Sequence, residues 1–270
     1  MKADSQVSIV IPNYNGMAFM EACMQAVLRD APKAELIVVD NASKDGSLEY
    51  TREHFPEVRV LAMDQNYGFA RAVNEGIRAA TRPYVILLNN DTEVEPGFTD
   101  ALVGALEADV RAFSAQAKLI QLQDPLKLDD AGNFYCALGW AFARGKDKPS
   151  ADYEEQDEVF AACAGAAVYR KALFEEIGYF DEAHFAYLDA HDLIGQFCAL
   201  SIFFQDRAQL AHDSAHLLVA VRLQRGELTC LGQADHDLFG FGLLLCGQRL
   251  VLSLCRRDAG IESLFCNGFQ

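Results

Sequence analysis

Tyr84-Val85-Ile86-Leu87-Leu88-Asn89-Asn90-Asp91-Thr92-Glu93-Val94-Glu95-Pro96 is the stretch on which the reading of the chain turns. Its leading apolar run spells a strand buried on both faces, the habit of a parallel sheet. The run stops at Asn-Asn-Asp-Thr, and Pro96-Gly97 turns the chain away. Open α/β sheets bind ligands at the carboxyl ends of their strands. A carboxylate there, Asp91, is placed to hold a divalent cation, and the cation to hold a diphosphate. Taken alone, Asn90-Asp91 reads equally as a turn or helix-cap signal.

The residues before this stretch repeat its logic. Val7-Ser8-Ile9-Val10-Ile11 predicts a strand stopped by Pro12, and Asn13-Tyr14-Asn15-Gly16 a polar loop. A helix is expected over 19–28, a second buried strand over Leu36-Ile37-Val38-Val39-Asp40, and a helix over 48–54. A third strand over 58–63 and a helix over 69–80 lead to the fourth strand, Tyr84 to Leu88. Strands alternating with helices at this spacing predict a parallel sheet with right-handed crossovers. Three strands then end in polar clusters: Pro12-Asn13-Tyr14, Asp40-Asn41 and Asn89-Asn90-Asp91. A parallel sheet brings these ends to one edge, so the clusters should converge on one crevice. Neither a Gly-x-Gly-x-x-Gly nor a Walker pattern is present, which shifts the burden of holding phosphates to a metal.

With 51% hydrophobic residues in 270, the chain can bury a full α/β core. A formal charge of −16 argues against binding nucleic acid through a basic face. Nothing at the start resembles a signal peptide, so a cytoplasmic protein with free thiols is expected from its eight cysteines. No CxxC pair occurs, which argues against structural zinc. The charge is uneven: residues 1–193 carry 32 acids and 17 bases, residues 194–270 only 7 and 6. No lysine follows Lys171, and five of the cysteines lie at or beyond Cys198.

Four motifs together carry a resemblance. Residues 7–16 (Val-Ser-Ile-Val-Ile-Pro-Asn-Tyr-Asn-Gly), 38–47 (Val-Val-Asp-Asn-Ala-Ser-Lys-Asp-Gly-Ser), 66–76 (Asn-Tyr-Gly-Phe-Ala-Arg-Ala-Val-Asn-Glu-Gly) and 87–92 (Leu-Leu-Asn-Asn-Asp-Thr) resemble the family 2 glycosyltransferases. The pattern is nearest to the rhamnosyltransferase-like enzymes of bacterial surface-polysaccharide synthesis. The resemblance implies a GT-A fold, a Rossmann-like mostly parallel sheet flanked by helices. It also implies a nucleotide-diphospho-sugar donor, Mg2+ or Mn2+, inversion at the anomeric carbon, and a saccharide or lipid-linked acceptor. By position, Pro12, Asn13 and Tyr14 would line the nucleobase pocket, with the Tyr14 ring as a stacking face. Asp40 and Asn41 would meet the base or ribose, and Asn66, Gly68, Arg71 and Asn74 would face the nucleotide. Arg71 would supply positive charge near the leaving phosphate. Asn89 and Asn90 would flank Asp91, the metal ligand. Outside these motifs, Tyr14 would read as a surface aromatic and Arg71 as a solvated helix charge.

Beyond the metal loop, a helix is expected over 97–107, a strand over 113–123 and an irregular acidic segment over 125–157. Trp140 reads as core packing ahead of a sugar platform, and Cys163 as a small buried residue. The small-residue segment 159–170 and Gly178-Tyr179-Phe180-Asp181-Glu182 again resemble the family. The next family signature, Tyr-x-Glu-Asp-x-Asp-Leu, carries the general base on its central Asp. Here it reads Tyr187-Leu188-Asp189-Ala190-His191-Asp192-Leu193, so Ala190 stands where the base should be. An alanine methyl takes no proton, leaving Asp189, Asp192 or His191 to assume the role, or a chain that binds donor without turning it over. His212 falls loosely on the family's late metal-binding histidine and reads equally as a surface residue.

The domain expectation is a GT-A donor and acceptor domain over 1–217 and a divergent extension over 218–270. The apolar run Leu238 to Gly247 is too short to cross a membrane. It is expected to pack on the catalytic domain, with peripheral contact at the inner membrane face or dimerisation left open. The change in composition also fits a frameshift near residue 190. A nucleotidyltransferase is the remaining rival class, but Asn13-Tyr14-Asn15-Gly16 is not its basic, glycine-rich phosphate loop.

Overall fold

In a computed structural model, the described residues are 3–135, 141–159 and 161–183, with the strand segments 218–224, 227–233, 239–246 and 249–256. Asp189, Ala190, His191, Asp192, His212 and Trp140 lie outside the described residues. The chain divides into two compact units, one of residues 1–134 and 142–194, the other of 135–141 and 195–270.

The first unit alternates strands and helices as its sequence predicts. The order is β1 (Val7–Asn13), α1 (Met17–Asp30), β2 (Glu35–Asp40), α2 (Ser47–His54), β3 (Arg59–Ala62), α3 (Phe69–Ala79), β4 (Tyr84–Leu88) and α4 (Phe98–Ala108). Short strands β5 (Ser114–Gln116), β6 (Leu119–Ile120), β7 (Leu128–Asp130), β8 (Asn133–Tyr135) and β9 (Ala141–Ala143) follow, then β10 (Ala166–Arg170) and α5 (Lys171–Ile177). The six-stranded sheet runs β3-β2-β1-β4-β10-β5, with the first four strands mutually parallel and β10 antiparallel to both its neighbours.

Both faces of this sheet are covered, which is why β1, β2 and β4 can be nearly all apolar. Val7, Ile9, Ile11, Val38, Ile86 and Leu88 form one core with Met20, Met24 and Val27 of α1 and Leu102 and Leu106 of α4. On the opposite face α3 lies against β1 and β2. Gly76 makes that approach possible: a Cβ there would stand 2.2 Å from Val10 Cγ1.

Two sequence expectations change at the far edge. The single strand predicted over 113–123 divides into β5 and β6, because its second half leaves β10 and pairs with β7 across a bulge. The small-residue segment 159–170, expected only as a close-approach segment, supplies β10, which fills the sheet between β4 and β5. In the second unit the described backbone forms two antiparallel hairpins, β11 (Leu218–Gln224) with β12 (Glu227–Gln233), and β13 (Phe239–Cys246) with β14 (Arg249–Arg256). Among the described residues no helix is long and apolar enough to cross a membrane.

Candidate active site

Strand register assembles the site. Asn13 ends β1 directly opposite Asp40, the last residue of β2. The β1–β4 register, Val10 against Leu87, carries Asn90 to the same level. The three polar clusters therefore meet at one sheet edge, as a parallel arrangement requires.

Asn13 is the hub. Only 1% exposed, it accepts a hydrogen bond from Asn90 Nδ2 at 2.8 Å. The two protons of its own Nδ2 are shared among three acceptors, Asp40 Oδ1 (2.9 Å), Ser47 Oγ (2.9 Å) and Ser43 Oγ (3.1 Å). Asp40 is fully buried, and its second oxygen accepts the Ser43 N–H at 3.0 Å. What this carboxylate has left for a ligand is the second lone pair on each oxygen. The Asp45 carboxylate pins the same loop to the start of α1 and α2, accepting the Met17 N–H (2.8 Å) and the Ser47 N–H and hydroxyl (3.0 and 2.6 Å). Burial works against ionising Asp45, but the bonds from Ser47 and Met17 outweigh it and hold its carboxyl below the ordinary aspartate value.

Gly16, buried between strand end and helix, sets how closely these parts fit. A Cβ on Gly16 would lie 2.0 Å from Asn90 Nδ2 and 2.4 Å from Asn13 Oδ1. Beneath the loop that carries Asp91, Asn89 donates its N–H to Gly165 O at 2.9 Å and accepts the Thr92 hydroxyl at 2.6 Å through its own carbonyl. The Cys23 thiol faces that same carbonyl at 3.7 Å. Burial pushes the Cys23 thiol up to about 12, with the charges of Asp91 and Glu93 adding to the effect. It stays neutral at working pH. The far end of the loop is held by Asp30, whose carboxylate accepts the Gly97 N–H (2.7 Å) and the Thr99 N–H and hydroxyl (3.0 and 2.7 Å).

Asp91 sits between these anchors, exposed, with no hydrogen bond or ion pair among the described residues. Among the described residues no group of three or more His, Cys, Asp or Glu side chains could hold a metal. A lone free carboxylate still fits Mg2+ or Mn2+ of the kind bound through one or two carboxylates plus substrate phosphates. Of the other sequence candidates, Pro12 is half-buried and Tyr14 is 49% exposed, its ring open at the edge. Asn41, Asn66 and Gly68 brace the entrance of α3. Asn41 Nδ2 donates to Asn66 Oδ1 (2.9 Å) and Gly68 O (3.0 Å), and Asn41 Oδ1 accepts the Tyr67 N–H (2.9 Å). Gly68 takes φ +87° there, a backbone region that favours glycine.

Arg71 stacks on the Tyr67 ring, 4.1 Å from guanidinium carbon to ring centroid. Asn74 is fully buried and pairs with Phe180 in both directions (2.8 and 3.1 Å) and with Glu182 Oε1 (3.0 Å). Its amide is thus spent on the chain beyond α5. The sequence reading gave no role to Gly16, Asp30, Arg78 or Glu182. Glu182 had a signal, since it closes the Gly-x-Phe-Asp-Glu motif, and Arg78 lies seven residues after Arg71 on one helix face.

A Rossmann-like sheet with its polar strand ends gathered around an uncommitted aspartate defines a GT-A glycosyltransferase. The chain belongs to glycosyl transferase family 2, whose family model matches residues 8–178. An uncharacterised glycosyltransferase of Escherichia coli K12, YibD, is 35% identical over 122 residues, which cover 43% of this chain and 35% of that protein. An N-acetylglucosaminyl-diphospho-decaprenol L-rhamnosyltransferase of Mycobacterium tuberculosis is 27% identical over 210 residues, 67% of each chain. Among solved structures, GalNAc-T7 with UDP, GalNAc and Mn2+ superposes with a TM-score of 0.55 at 17% identity, over 70% of this chain and 40% of that one. A mannosyltransferase of Pyrobaculum calidifontis, in complex with GDP-Man and Mn2+, gives 0.50 at 20% identity, over 70% and 50%. The chain thus spans about a third of the E. coli relative and half of the mannosyltransferase chain.

Proposed function

We propose that this glycosyltransferase moves a sugar, with inversion, from a nucleoside-diphosphate donor to a saccharide or lipid-linked acceptor. The observation that carries the reading is Asp91, left uncommitted where three strand ends converge. Support comes from the solved relatives, whose partners are UDP or GDP-Man with Mn2+, and from the mycobacterial relative, named for a lipid-linked acceptor. Tyr14 would stack on the base, Asp40 would accept from base or ribose, and Arg71 would meet the diphosphate. Asp91 would hold the divalent cation, with His212 as a further ligand. The cation would supply positive charge to offset that building on the leaving diphosphate. The acceptor oxygen attacks the anomeric carbon, the bond to the diphosphate oxygen breaks, and the acceptor proton passes to a carboxylate. Asp189 and Asp192 are the carboxylates assigned to that proton. Work at the inner face of the membrane would suit a lipid-linked acceptor.

A second reading, a donor-binding relative impaired in transfer, is favoured by one observation, Ala190 at the base position. Loss of a general base lowers a rate about 10²–10⁴-fold and leaves donor affinity intact. The test is thermal shift and turnover with UDP-, GDP- and dTDP-sugars, with and without Mn2+. Both readings expect a Mn2+-dependent shift that Asp91→Ala removes; a shift unchanged in that variant overturns the metal assignment. Turnover then separates them.

A further inference from the structure

Glu182 gathers one whole face of α3 onto a single carboxylate. Arg71, Asn74 and Arg78 lie three and four residues apart, so their side chains share that face. Glu182 Oε1 accepts from Asn74 Nδ2 at 3.0 Å and from the Arg78 guanidinium at 3.4 and 3.5 Å. Its Oε2 lies 3.9 Å from Arg71 Nε. Asn74 grips Phe180 through both its donor and its acceptor, so Glu182 is carried on a fixed stem. Arg71 Nε is itself buried and has no hydrogen bond. The guanidinium is therefore flanked by the Tyr67 ring on one face and Glu182 at its inner edge. Its outer nitrogens make no hydrogen bond among the described residues, although the side chain is 41% exposed.

We propose that Glu182 is a positioning residue for donor binding: it holds Arg71 by the inner edge, presenting the outer nitrogens to the donor's diphosphate. This rests on the donor-site reading above. An arginine side chain loses substantial rotamer freedom when it binds an anion, and a fork already held loses less on binding. The carboxylate does this without competing for the phosphate, because it meets Nε and not the outer pair.

The test is calorimetric titration of the full chain with UDP, GDP and dTDP in the presence of Mn2+. It uses Glu182→Gln, Arg71→Ala, their combination and Arg78→Ala, with melting temperatures for each. Glutamine keeps an oxygen for Asn74 and Arg78 but removes the charge that faces both arginines and turns an NH2 toward Arg71; Arg78→Ala separates the loss at Arg78 from the loss at Arg71. Glu182→Gln is expected to weaken diphosphate affinity about 3–5-fold, raising donor KM while kcat changes less than about twofold. Arg71→Ala is expected to weaken it about 10–100-fold, and the double variant no further. Arg78→Ala, on the same carboxylate, should leave affinity within about twofold. Unchanged affinity in Glu182→Gln, additive losses in the double variant, or an equal loss in Arg78→Ala would each overturn the proposal. An indifferent Arg71→Ala overturns it too; if Asp91→Ala still abolishes the Mn2+-dependent part, the donor-site reading stands, and otherwise both fall.

Discussion

Replacing Gly16 with alanine isolates the fit on which the polar strand edge depends. Gly16 takes φ −98° and ψ 21°, which any residue adopts, so the added methyl acts through contact and not through backbone strain. That methyl would fall 2.0 Å from Asn90 Nδ2, 2.4 Å from Asn13 Oδ1 and 3.0 Å from Asn90 Cγ. None of these is a tolerable separation. Asn13 Oδ1 must give against its side chain's bonds to Asp40, Ser43 and Ser47, and Asn90, the less tied group, must swing away. Its departure breaks the 2.8 Å bond and leaves a buried carbonyl oxygen without a donor. Such an orphan costs about 1–3 kcal/mol. For a unit of this size that lowers Tm by about 2–12 °C.

The consequence for binding follows from sequence adjacency. Asn90 precedes Asp91, so moving one amide displaces the carboxylate assigned to the metal. The assay is nucleoside-diphosphate titration with Mn2+ and again with a chelator, beside thermal unfolding. Gly16→Ala should lose most of the Mn2+-dependent gain and retain most of the metal-free affinity. Gly104→Ala is the matched control: it lies in α4 with nothing within 4 Å of the added methyl. That variant should gain about 0.5–1 kcal/mol from helix propensity and bind normally. If Gly16→Ala melts within a degree of the parent and binds metal and nucleotide equally well, the packing of Asn13 and Asn90 around Gly16 is refuted.

Asp30→Ala removes the acceptor for Gly97 and Thr99 and should destabilise the protein by about 0.5–2 kcal/mol, the range for losing a helix N-cap, read by urea unfolding. An unchanged midpoint would refute that role. Two carboxylates should tilt the pH profile in opposite senses. Asp45 titrates below its ordinary value when folded, so it favours the folded state above pH 3.8 and that contribution fades as pH falls through the folded value. Asp45→Asn should therefore flatten the acid limb of stability. Asp130, chiefly through burial, titrates above its ordinary value, so the folded state loses stability as pH rises from 3.8 through the folded value. Asp130→Asn, which keeps an acceptor for the Gly132 N–H at 2.7 Å, should gain on the parent between acid and neutral pH. Parallel curves for either variant and the parent would sink the corresponding assignment.

The polar edge of the sheet was readable because two independent signals coincide in β1, β2 and β4. Each strand is a nearly unbroken apolar run, interrupted in β1 by Ser8, and each stops in Asn or Asp, so burial and strand end can both be placed. The resemblance in four motifs added the family. What those residues bind inside the protein was not readable. Asp40 was expected to face a ligand, but its bonds to Asn13 at the end of β1 and to the Ser43 N–H three residues on were not foreseen, and they leave only the second lone pair on each oxygen. Asn74 illustrates the same gap, since its partner Phe180 is 106 residues away and a polar helix residue looks alike whatever it meets. The antiparallel entry of β10 was hidden by its small residues, which carry neither period strongly. Gly16 offered no signal at all, because a glycine fixed by sterics at ordinary φ reads in sequence like any turn glycine.

On the proposed reading, an alanine at the base position need not unmake a donor site built from residues 13–91. Asn13, Asp40, Ser43, Ser47 and Asn90 hydrogen-bond to one another in a network buried at Asn13, Asp40 and Ser47 and half-buried at Ser43 and Asn90, and such pairing rigidifies it. All of them lie between residues 13 and 90, well before Ala190 in the chain. Asp91 stands outside the network, so its carboxylate is free, while Asn90 and Asn89 on its amino side fix where it stands. On that reading, donor affinity and transfer rate should therefore be separable quantities. A chain with the full Mn2+-dependent affinity and a transfer rate lowered by about 10²–10⁴ would trace its defect to residues 189–192. A chain that has lost both would place the fault among residues 13–91.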